Sequence, residues 1–86
     1  MVYYIILSSI TYATWLKSDL TNIGERTVLL PTPQSISPKG CSYSLQIKEH
    51  QLETVKNQAN NLGIKILGIY QQLGNEEFKE APHDLP

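Results

Sequence analysis

The same helical pattern occurs twice in this chain, 39 residues apart. Ala13, Leu16, Leu20 and Ile23 fall at i, i+3, i+7 and i+10 and are followed by Gly24. Leu52, Val55, Ala59, Leu62 and Gly63 repeat that order. Each set is one apolar stripe of an amphipathic helix. Each glycine is expected just past a helix end, where a left-handed residue closes the last turn. Ser9 is placed to cap the first helix. The same shift carries Tyr4 and Ile6 onto Tyr43 and Leu45, so the repeated unit includes a strand as well as a helix.

Four strands are expected around these helices. Val2–Leu7 is a nearly continuous apolar and aromatic run, the pattern of a central strand. Thr27–Leu30 reads as a second strand, ended by Pro31 and Pro33, which cannot donate to a ladder. Gln34–Gly40 is a Ser/Pro/Gly loop. From Cys41 the alternation is regular: Cys41, Tyr43, Leu45 and Ile47 on one face, Ser42, Ser44, Gln46 and Lys48 on the other. Ile64–Tyr70 is the fourth strand. Two βαβ halves in series predict an α+β domain of the ferredoxin-like split βαβ kind. Its four-stranded antiparallel sheet has the order 4-1-3-2, with both helices on one face. All eight stripe residues then point at the sheet. Residues 1–73 form the domain, and 74–86 read as an acidic, Pro-containing, loosely held tail. Strands two and four are the expected edges. A homodimer, if one forms, is expected to use strand four, the open sheet face or the side carrying Trp15, because prolines end strand two.

Composition narrows the function classes. With 86 residues there is room for one core. The single cysteine leaves no intrachain disulfide, and a lone free thiol suits a reducing compartment such as the cytoplasm. The opening MVYYIIL has no basic flank and is too short to cross a bilayer, so neither a secretory signal nor a membrane anchor is expected. A formal net charge of −1, with both signs scattered, gives no footprint for nucleic acid. One Cys with His50 and His83 makes no metal set. No CxxC, Walker loop or GxGxxG is present.

Chain direction makes Cys41 the candidate for chemistry. Strand one runs up, its helix returns, strand two runs up, and strand three starts at the top. Cys41 is therefore expected at the sheet edge where strand one ends and the first helix begins near Ser9. Free N–H groups and the helix dipole there favour a thiolate. Lys39 adds positive charge, and Gly40 lets the backbone approach a ligand closely. A second reading stands beside this one: Cys41 is in phase with Tyr43, Leu45 and Ile47, and free cysteine is among the most buried residue types. His50 begins the second helix at the opposite edge. Strand three spans about 20 Å, so a Cys41–His50 dyad is excluded and no enzyme acting alone is expected. Tyr12 and Trp15 lie off the helical stripe and are available to a partner.

The stretch LLPTPQSISPKGCSYSLQI resembles the selenium/sulfur carrier-like small-protein family. Leu30, Pro31, Thr32 and Pro33, then Ser35, Ile36 and Ser37, then Cys41 match its Pro-x-Pro segment, Ser-rich loop and strand-heading cysteine. The likeness runs over roughly residues 3–70. Two positions depart from the family: Gly40 precedes the cysteine where a glycine often follows it, and Gln34 stands where a basic residue is common. The resemblance implies that Cys41 holds a sulfur or selenium atom as a persulfide or selenosulfide. Pro31, Thr32, Pro33, Ser37, Lys39 and Gly40 then form a binding loop, with Ser9 at the neighbouring helix start. It also implies a donor or acceptor protein as partner and no cofactor beyond the covalent sulfur or selenium. The alternative is a non-catalytic binding module with a packed structural cysteine, using the Pro-Thr-Pro loop, Trp15 and the sheet edges.

Overall fold

A computed structural model describes residues 1–37, 42–75 and 77–81. The elements are β1 (Val2–Leu7), α1 (Ile10–Asn22), β2 (Val28–Pro31), β3 (Tyr43–Lys48), α2 (Leu52–Leu62), β4 (Gly68–Gly74) and β5 (Glu77–Glu80). Short 3₁₀ turns lie at Gln34–Ile36 and Glu49–Gln51. The strands make one sheet in the order β2-β3-β1-β4-β5, and every neighbouring pair is antiparallel.

The helix ends follow from their residues. Ser9 is in extended backbone, and its Oγ accepts the Tyr12 N–H at 3.3 Å, satisfying one of the first-turn donors. Gly24 and Gly63 have φ of 88° and 72°, the left-handed region that a side chain disfavours. Both helices pack on one face of the sheet. Ala13, Leu16 and Leu20 of α1 and Val55 and Ala59 of α2 share a core with Ile5, Leu7, Leu45, Ile47 and Ile69. Asp19 of α1 and Gln58 of α2 join the helices by a hydrogen bond. Ile23, expected in the core, is 52% exposed. It is the residue that closes α1, with non-helical backbone at φ −99° and ψ 13°, so it falls out of the helical stripe.

The sheet has five strands where four were expected. β4 begins at Gly68 and runs on to Gly74, later than the expected Ile64–Tyr70. Ile64 and Ile66 leave the ladder and fill the core, while the Leu67 N–H reaches the Ile6 carbonyl at 2.9 Å. Residues 77–80, expected in a loose tail, pair with β4 as β5. The cause is on the face away from the helices. Tyr4 and Ile6 are buried there with no helix above them. The Phe78 ring stands edge-on to Tyr4, with centroids 5.2 Å apart and planes at 86°. Tyr70 lies close over Gly68 on the same face. A consequence is that β4 is not an edge. The edges are β2 and β5, which removes β4 as the expected dimer strand. Pro31 sits on the outer edge of β2, paired by register with Tyr43.

The hairpin of β2 and β3 keeps one register: Val28 faces Gln46, Leu29 faces Leu45, Leu30 faces Ser44 and Pro31 faces Tyr43. One step beyond its lower end would set Thr27 against Ile47, and two steps Arg26 against Lys48. Instead, the side chain of Gln51 stands between the strands. Its Oε1 accepts the Lys48 N–H at 2.9 Å, and its Nε2 donates to the Arg26 carbonyl at 2.8 Å and to Glu25 Oε1 at 3.1 Å. The carboxamide thus relays the ladder bond that Arg26 and Lys48 would have made directly. Gln51 is 5% exposed, so its polar atoms depend on these partners. Gln51→Ala leaves the part-buried Lys48 N–H and Arg26 carbonyl without it, at a cost of about 1–3 kcal/mol. Urea unfolding is expected to show that loss as a lower midpoint with unchanged slope. An unchanged midpoint would contradict the relay.

Candidate functional site

The loop between β2 and β3 is closed by backbone and hydroxyl groups together. Beyond Pro31, the Thr32 N–H donates to the Ser42 carbonyl at 3.1 Å, which extends the same register by another pair. Pro33 then precedes the turn Gln34–Ile36, whose Ile36 N–H bonds the Pro33 carbonyl at 3.1 Å. Ser37 comes back to the sheet, with its Oγ 3.3 Å from Ser42 Oγ. Beneath it, Thr32 Oγ1 and Ser44 Oγ lie 2.6 Å apart. Ser44 is fully buried, and Thr32 and Ser42 nearly so. Ser44 sits in the sheet row that also holds Leu30 and Ile6, and Thr32 and Ser42 lie in the next row of the same face, away from the helices.

Of the residues singled out in the sequence, Pro31, Thr32, Pro33 and Ser37 belong to this loop or its base. Lys39, Gly40 and Cys41 lie outside the described residues. Ser9 comes to the same edge of the sheet: Leu7, two residues before it, pairs with Tyr43, two residues after Cys41. Among the described residues no hydrogen bond joins Ser9 to the loop hydroxyls, and its Oγ is engaged with its own helix. His50 is exposed in the turn after β3, at the far end of that strand, and His83 lies outside the described residues. Tyr12 and Trp15 are 44% and 47% exposed on α1.

Ser42 and Ser44 were not singled out in the sequence. Alternation placed them on the face opposite Leu45, which is correct, but serine on such a face ordinarily points to water. Their burial depends on Thr32 lying across the strand. That requires the register Leu30 to Ser44, which spacing alone does not supply.

No described helix is long and apolar enough to cross a membrane. A protein-family model described as "Putative Se/S carrier protein-like" matches residues 2–71, from β1 into β4. No curated protein matches, and no solved structure matches.

Thr32→Val removes the partner of a fully buried hydroxyl while keeping the side-chain shape. It should cost about 1–3 kcal/mol, and Ser44→Ala should cost a similar amount. The double variant should lose clearly less than the sum, because no orphan hydroxyl remains. A double-mutant cycle from urea melts checks this; strict additivity would mean that the contact carries no coupling.

Proposed function

We propose a sulfur or selenium carrier role for this chain, which belongs to the Se/S carrier protein-like family. The observation that carries the reading is the family match over residues 2–71 combined with a single thiol, Cys41, within the matched span. The frame is read as a ferredoxin-like split βαβ arrangement extended by a fifth strand, and the cytoplasm as its compartment.

The step needs no cofactor. The Cys41 thiolate attacks the outer sulfur of a donor persulfide. The donor's S–S bond breaks, a new S–S bond forms on Cys41, and the donor departs as a thiolate. The outer sulfur carries its proton across, one thiolate replaces another, and no external oxidant is consumed. Attack by an acceptor on the same outer sulfur reverses the bond changes and restores the Cys41 thiolate. With no second cysteine in the chain, no internal thiol can discharge the cargo as a disulfide. The closed loop base at Thr32, Ser42 and Ser44 supports this reading, because it anchors both ends of the segment that bears the thiol. Pro31, Thr32, Pro33, Ser37, Lys39 and Gly40 are proposed to meet the donor or acceptor protein.

Incubating the native chain with a cysteine desulfurase and cysteine should add one sulfur mass to the intact protein. Cys41→Ser should gain none, and a reductant should remove the adduct from the wild type. Absence of the adduct in wild type, with the desulfurase shown to be active, would leave the binding-module reading in its place.

A further inference from the structure

The Gln51 relay that splits the lower end of the β2–β3 ladder also opens a cleft there, at the end of the sheet opposite the loop. The space amounts to about 450 Å³, within the about 300–1,000 Å³ usual for small-molecule sites. Its charged lining is one-sided. Arg26 and Lys48 border it, against one carboxylate, Glu25, which already accepts from Gln51. Glu49 lies between Lys48 and His50 in sequence but does not line the space. Among the described residues, neither Arg26 nor Lys48 makes an ion pair. The same space is bordered by the apolar side chains of Val2 and Val28.

We propose that this cleft binds a small molecule carrying an anionic group, phosphate or carboxylate, on an apolar body. Arg26 and Lys48 hold the anion, and Val2 and Val28 receive the apolar part. The relay makes the site possible. With Gln51 between them, the strands stay apart where direct pairing of Arg26 with Lys48 would close the gap. The site shares no residue with the Cys41 loop, so it does not depend on the carrier reading.

The test uses the full chain, ¹⁵N-labelled, titrated separately with phenyl phosphate, benzoate and benzyl alcohol. Phenyl phosphate or benzoate should give saturable amide shifts confined to residues 24–28 and 46–51. The better of the two identifies the anion. Benzyl alcohol, which keeps the apolar body and lacks the charge, should bind more weakly than either. The double variant Arg26→Gln/Lys48→Gln should weaken the better anion about tenfold or more, because it removes two charge-assisted contacts. Both side chains are exposed, so an unchanged amide spectrum elsewhere certifies the fold. Lys65→Gln/Lys79→Gln removes the same charge from elsewhere and should leave the affinity unchanged. Three results would overturn the proposal: no saturable shifts with either anion, equal weakening by both charge pairs, or benzyl alcohol binding as tightly as the anions.

Discussion

Everything in this fold is hung on β1. Ile5 is paired with Leu45 on one side and with Ile69 on the other, so a single strand sets the register of both halves. Its two faces are covered by different means. Towards the helices, Ile5 and Leu7 join the main core; away from them, Tyr4 and Ile6 lie under Phe78 and Tyr70. A chain of 86 residues has little apolar surface to spare. Burying both faces of the central strand is how it gains from almost every side chain of β1. Full burial of one such side chain contributes about 1.5–3 kcal/mol, so the fifth strand, short and charged as it is, matters for stability through one phenylalanine.

The β2–β3 hairpin then behaves differently at its two ends. At the upper end the ladder continues past Pro31, through the Thr32 N–H to the Ser42 carbonyl, and hydroxyl contacts tighten it further. At the lower end the equivalent pair is separated by a glutamine side chain. Both devices satisfy the backbone, as burial demands. Their consequences are opposite: one closes the strands beneath a loop, and the other leaves a cleft bordered by Arg26 and Lys48. Two regions of different chemistry are thus separated by the length of β3.

Much of this was legible in the sequence, and the reasons differ by element. The helices declared themselves through stripe, cap and closing glycine, because those signals are local: Ser9, Gly24 and Gly63 act within one turn. The expected strand order 4-1-3-2 holds for the first four strands. β5 was hidden because the tail was weighed by its charge, while the residue that fixes it, Phe78, answers to Tyr4 at a distance of 74 positions. The start of β4 was misplaced because Ile64 and Ile66 are as apolar as strand residues, yet serve the core as a connection from α2. Gln51 and Ser44 were invisible for a related reason. A polar residue becomes structural only when long-range register supplies its partners, and no local pattern encodes that. For the candidate site, the sequence named Thr32 and Ser37 through the loop pattern but missed the serines to which they bond.

The carrier account stands on a thiol that other proteins can reach, and that is directly measurable. Alkylation of Cys41 by iodoacetamide, followed by intact mass, can be compared between native chain and chain unfolded in urea at the same pH. The account predicts that the native thiol reacts at least as fast as the unfolded one. A thiol that reacts only on unfolding would contradict it and make Cys41 a packed structural residue.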